Sequence, residues 1–179
     1  MPSKPTKQHA KPVVKTIMSL DPGKTAGYAI WRVHVDVTKT LTSKDVLKSG
    51  TINEHPEDKS KVFESLYHTV ITLMQLVDEY NPSVLVVENV MSSPMKSKVA
   101  RIYLSGVYLW AALYSTMKGL EFTEIAPTSL KKRLTGSGKA SKVDVIKEVN
   151  EQLGMELKNK DNNEADALAL GLVYLKETY

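Results

Sequence analysis

Three acidic side chains are delivered by apolar segments: Asp21 closes "VVKTIMSLD", Glu88 closes "VLVVE", and Asp166 lies within "NNEADALAL". In each case the apolar neighbours bury the base of the acid and leave its tip at an edge. A single acid at a strand end is most simply a solvated turn residue, but three on separate core elements can converge. Carboxylates buried near one another are costly through repulsion and desolvation unless a cation joins them. Such a cluster implies a divalent ion, and an all-oxygen donor set favours Mg²⁺ or Mn²⁺ over zinc. The chain has no cysteine, which removes a thiolate zinc site, a disulfide framework and a cysteine nucleophile.

The same neighbourhood offers a competing chemistry. Gly23, Lys24 and Thr25 in "LDPGKTAG" imitate the end of a phosphate-binding P-loop. That loop needs a glycine five positions before the one preceding lysine, and a helix directly after the threonine. Position 18 is Met, and "AGYAIW" reads as a strand. The stretch is therefore a turn between strands, and no nucleotide cofactor is expected.

The elements that must carry these acids follow from periodicity. "VVKTIMSLD", "GYAIWRVHVDV" and "DVLKSGTIN" form an antiparallel meander over about residues 14–53. Val62, Leu66, Val70, Leu73 and Val77 then recur at helical spacing, predicting an amphipathic helix over 58–79. "NPSVLVVEN" has the continuous apolar character of a central parallel strand. Residues 99–117 are apolar on more than one face, as expected of a deeply buried helix or a subunit interface. "LEFTEIAP" is a further strand closed by Pro127, and three more helical segments complete the chain. The order predicts an α/β domain over 14–179: a mixed five-stranded sheet, three strands antiparallel and then two parallel, flanked by helices.

Charge points to an anionic partner. Lys and Arg number 24 against 20 Asp and Glu, and the excess is concentrated. Residues 1–13 hold three prolines and no acid, predicting a disordered basic arm, and "LKKRLTGSGKASK" packs five cations around two glycines. Nucleic acid is the commonest such partner, and Lys132, Arg133 and Lys139 suit contacts to its backbone. The loop "MSSPMKSK", with Lys96 and Lys98, is polar and flexible enough to meet the same partner. No apolar run reaches the roughly 20 residues needed to span a bilayer, and a soluble cytoplasmic or nucleoid-associated protein is expected (host cytoplasm for a viral member). Trp31 and Trp110 show no site role.

"IMSLDPGKTAGYAI", "VLVVENVM", "TGSGKASKVDVI" and "NEADALAL" resemble, in order and spacing, the four blocks of RuvC-type Holliday-junction resolvases, of the RNase H-like (retroviral-integrase) superfamily. The resemblance covers about residues 14–175. It implies that Asp21, Glu88 and Asp166 ligate two divalent ions, Mg²⁺ with Mn²⁺ as a substitute, for in-line hydrolysis of a phosphodiester to a 5′-phosphate and a 3′-hydroxyl. It also places Lys131 and Lys142 near the scissile phosphate, and it sets Met91 where relatives carry an aromatic wedge. The sequence departs from the family at the fourth ligand, three residues before the last acid, where Asn163 stands. An amide oxygen can coordinate but adds no charge. Asn162, four before Asp166, and a Glu164 bent inward are the alternatives, although Glu164 lies about 200° around the helix from Asp166. The implied function is a metal-dependent endonuclease that resolves four-way and other branched DNA as a homodimer. The Asn163 departure motivates the alternative of a junction-binding protein with weak or lost catalysis.

Overall fold

The computed structural model describes residues 13–23, 25–35, 40–53, 59–90 and 97–179. Residues 1–12 of the expected arm, Lys24, Met91 and Lys96 lie outside these. The meander is present as β1 (Val14–Asp21), β2 (Ala26–His34) and β3 (Val46–Ile52). Next come α1 (Val62–Tyr80), β4 (Val84–Glu88), α2 (Lys98–Lys118) and β5 (Glu121–Ile125). The chain ends with α3 (Pro127–Thr135), α4 (Lys142–Leu153) and α5 (Asn162–Thr178). Pro127 does more than close β5: it is the first residue of α3, where its fixed φ suits a helix and its missing N–H has no intrahelical role.

The sheet order is β3-β2-β1-β4-β5. β2 runs antiparallel to both its neighbours, whereas β1, β4 and β5 are mutually parallel. The three parallel strands therefore end at one edge, and two of the acids sit there. Alternation along β1 sends Met18 and Leu20 to a core shared with α1 and α2, and Ile17 to a core shared with α3, α4 and α5. Asp21 follows Ile17 in period and so belongs to the second face.

α5 is buried along nearly its whole length, from Ala165 through Leu175, and packs across β2 and β1. A helix covered on most sides is apolar on most sides, so the acid in its first turns stands out as a deliberate exception. α2, by contrast, buries only one face, with Tyr103, Val107, Ala111 and Tyr114 against the sheet. Leu109, Leu113 and Met117, spaced by four, are exposed. α1 and α2 lie side by side, with Leu66 against Gly106 and Asp78 bonded to Tyr114 and Lys118. On α1, Phe63 and Tyr67 are also exposed.

Candidate active site

Parallel pairing in register makes the first juxtaposition. Leu20 of β1 lies beside Val87 of β4, so the next residues, Asp21 and Glu88, end adjacent strands side by side. Their carboxyls are near enough to share a hydrogen bond, and each acts on the other's proton affinity. The third acid arrives from the first turns of α5: Asp166 is mostly buried, and its charge acts on both of the others. The structure thus brings together the three acids that the sequence singled out.

Two close approaches let α5 reach them. Gly27 is the β2 partner of Asp21, and a Cβ built on it would stand 1.9 Å from the main-chain oxygen of Asn163. Only hydrogen fits between strand and helix there. Below it, Ser19 Oγ donates to the Ala167 carbonyl at 2.7 Å and accepts from Trp31 Nε1 at 3.1 Å. Trp31 and Ser19 are diagonal neighbours on one face of the β1–β2 pair. A hydroxyl buried without a partner costs about 1–3 kcal/mol; this one holds the residue after Asp166 against the strand that ends in Asp21. From sequence Trp31 has no site role and Ser19 does not stand out, although a serine inside the buried half of an apolar strand signals a hydrogen-bond obligation.

Electrostatics follow from the packing. Burial raises the Asp21 pKa well above the usual carboxylate range, and the charges of Glu88 and Asp166 add to it. Glu88 is raised to about 7 by burial and by Asp166, against the opposing effects of the Asp21 hydrogen bond, Lys142 and Lys131. Asp166 is raised by burial, opposed by Lys142 and Lys131. All three acids therefore hold protons too tightly for solvated groups, the behaviour of a site that a cation would relieve.

The lysines named by the resemblance approach the same edge. Lys142, the first residue of α4, donates from Nζ to Asn162 Oδ1 at 2.8 Å and sits 3.8 Å from Asp166 Oδ2. A Ser141–Asp144 capping box starts that helix and fixes where Lys142 emerges. Lys131, on α3, acts on Glu88 and Asp166 through its charge. Lys132, Lys139 and Lys98 are exposed. Arg133 is not free: it bonds Glu177 at 2.9 Å, at the far end of α5 from Asp166.

The three contenders for a fourth ligand separate. Glu164 accepts a hydrogen bond from Ser49 of β3 at 2.6 Å, on the side away from Asp166. Asn162 is engaged by Lys142 and donates to the Asn159 carbonyl. Asn163 has its main chain over Gly27, the β2 partner of Asp21. Among the described residues no three acid or histidine side chains already surround one point: Asp21 and Glu88 turn to each other, and Asp166 turns to Lys142. The donor set, hard oxygens under mutual repulsion, fits Mg²⁺ or Mn²⁺. The site is an open sheet edge. A cavity of about 520 Å³ lies at the opposite end of β2, lined by Val33, Leu41, Leu175 and Tyr179, and has no part in it.

A five-stranded mixed sheet, ending in two acids on adjacent parallel strands with a third laid over them by a buried helix, defines the RNase H-like class of fold. Comparison with known proteins narrows this. The family described as crossover junction endodeoxyribonuclease RuvC matches residues 17–174. The RuvC endodeoxyribonuclease of Natranaerobius thermophilus is 30% identical over 88% of this chain and 92% of its own. That of Prochlorococcus marinus subsp. pastoris is 27% identical over 90% and 96%. Among solved structures, T. thermophilus RuvC in complex with a Holliday junction substrate superposes with a TM-score of 0.71 at 18% identity, covering 91% of this chain and 96% of that one. The chain belongs to the RuvC family of crossover junction endodeoxyribonucleases.

Proposed function

We infer that this chain hydrolyses phosphodiester bonds in branched DNA, above all at four-way Holliday junctions, using divalent ions held by Asp21, Glu88 and Asp166. The observation that carries this reading is the approach of three acids, one buried and two mostly buried, to one sheet edge beside Lys142 and within the field of Lys131. The names of the relatives supply the substrate class.

Two Mg²⁺ ions, replaceable by Mn²⁺, supply when bound an acidified water and a Lewis acid for the leaving oxygen. Asp21, Glu88 and Asp166 would hold these ions, and Asn163 would offer a neutral oxygen beside them. Lys142, which reaches Asp166 and is steadied by Asn162, stabilises charge that develops on the phosphate. Lys131 reinforces it. Lys132, Lys139 and Lys98 attract the DNA backbone, joined by Lys96 and by Met91 as an apolar wedge. The products are a 5′-phosphate and a 3′-hydroxyl.

The exposed apolar stripe on α2, with Phe63 and Tyr67 beside it, suits a second copy of the chain, and a homodimer presents two sites to a four-way junction. No described helix is long and apolar enough to cross a membrane. A nuclease of this kind works in the cytoplasm or at the nucleoid. Asn163 favours one rival, a junction binder with weak catalysis.

Labelled four-way, three-way, flap and linear substrates incubated with the chain in Mg²⁺ test the assignment. Paired nicks in the four-way junction are expected, with far less cutting of linear duplex. Equal cutting of linear duplex would remove the branch selectivity, and tight junction binding without product in either Mg²⁺ or Mn²⁺ would favour the binder.

A further inference from the structure

The distance between the strand that carries Asp21 and the helix that carries Asp166 is set by a buried polar clamp outside the acids. Ser19 and Trp31 are both fully buried. The Ser19 hydroxyl has one hydrogen and two carbonyls in range, Ala167 at 2.7 Å and Ala29 at 3.4 Å. The shorter contact takes the hydrogen, because Ala167 offers the better geometry. The indole N–H of Trp31 fills the acceptor side of the same oxygen. Gly171, one helical turn beyond Ala167, leaves room for the indole: a Cβ there would lie 2.1 Å from Trp31 Nε1 and 2.9 Å from Ser19 Oγ. Gly27 provides the matching close approach at the other end of the contact, under Asn163. Hydrogen bond and steric fit thus pin α5 along the turns that present Asn163 and Asp166.

We propose that Ser19 and Trp31 are positioning residues for the acidic site, fixing Asp166 and Asn163 relative to Asp21 so that one ion can be shared among them. Neither side chain touches the substrate. Their effect passes through the Ala167 carbonyl, which follows Asp166 directly, and through β1, where Ser19 precedes Asp21 by two residues on the same face. Loss of the hydroxyl frees the start of α5 to move away from β1, and the acids then meet an ion with a mismatched span. The proposal rests on the metal-binding reading of the site.

The test compares the full-length wild type with Ser19→Ala, measuring Mn²⁺ affinity from the free-ion EPR signal, well below the melting temperature of each protein. Removing groups that orient metal ligands typically weakens affinity 10–100-fold; because this clamp acts through the backbone, roughly a tenfold loss is expected, with junction affinity in Ca²⁺ within about twofold. In Mg²⁺ the loss should fall on kcat and leave KM nearly unchanged. Ser19→Cys, which keeps a weak donor, should recover part of the affinity. Trp31→Phe, which removes the donor to Ser19 together with part of the indole's bulk, should move Mn²⁺ affinity in the same direction and serves where Ser19→Ala does not fold. A fall in melting temperature with unchanged Mn²⁺ affinity would overturn the positioning role and leave the nuclease reading intact. Absence of Mn²⁺ binding by the wild type would overturn both.

Discussion

Replacing Glu88 with Gln should make the metal-free protein more stable while abolishing its chemistry. In the folded chain the Glu88 pKa rises from its ordinary 4.5 to about 7, chiefly through burial and the charge of Asp166. An acid whose folded pKa is raised favours folding while it stays protonated. That contribution is fully present below pH 4.5 and is lost as the pH climbs to about 7, because the folded state binds the proton that the unfolded state has released. At 1.36 kcal/mol per pK unit the rise is equivalent to about 3 kcal/mol. Gln has the same shape, can accept a hydrogen bond from Asp21, and carries no proton to lose. The gain of Glu88→Gln over wild type should therefore be small at pH 4, grow through pH 5 to 7, and level off near 3 kcal/mol, or roughly 6–12 °C in melting temperature for a chain of this size. Thermal melts in EDTA at several pH values measure it, and the difference between the two proteins cancels titrations of groups that do not interact with Glu88. Saturating Mn²⁺ should raise the wild-type melting temperature and narrow the gap. A gap that does not change with pH would refute the reasoning, because it would mean that Glu88 ionises as a solvated carboxylate.

Other expectations concern the periphery of the site. Asn163→Asp restores charge at the fourth ligand position and should lower the Mg²⁺ concentration for half-maximal cutting by about threefold or more, read from a metal titration. Lys142→Ala should reduce kcat roughly 100-fold with little change in junction affinity. Arg133→Ala should change junction affinity by less than about twofold, since Glu177 already holds that guanidinium. Lys132→Ala should weaken binding more than Arg133→Ala, in a salt-dependent way. Leu113→Glu, in the exposed stripe of α2, should convert a dimer to a monomer in sedimentation velocity without lowering the melting temperature of the monomer.

Periodicity exposed much of this fold before any coordinates did. The meander, the central strand ending in Glu88 and the helix around Asp166 all announce themselves through apolar spacing, and parallel strands that end in acids bring those acids to one edge. Helical geometry sets Glu164 about 200° from Asp166 but leaves open an inward bend of the helix start, and the contact with Ser49 closes that alternative. Asn162 and Asn163 were not separable in this way: both lie on the Asp166 side of the helix, and only tertiary contacts give one to Lys142 and set the other over Gly27. Arg133 looked like one more cation in a basic run because its partner, Glu177, is 44 residues away. The Ser19–Trp31 clamp was hidden for a similar reason. A serine in a strand and a tryptophan in its neighbour become one device only when register sets them diagonally and two glycines admit the helix. The apolar faces of α2 gave an ambiguous signal, buried helix or interface, and packing resolves it into one buried face and one exposed stripe.

The central claim is that Asp21, Glu88 and Asp166 work as one metal-dependent hydrolytic site. Its most direct test is a 5′-labelled four-way junction incubated with the purified chain in Mg²⁺, in EDTA, and in Mg²⁺ with Asp21→Asn. The account predicts symmetric nicks with ligatable ends in the first case and none in the other two, while Asp21→Asn still binds the junction in Ca²⁺. Cutting that persists in EDTA, or that survives Asp21→Asn at a comparable rate, would contradict it.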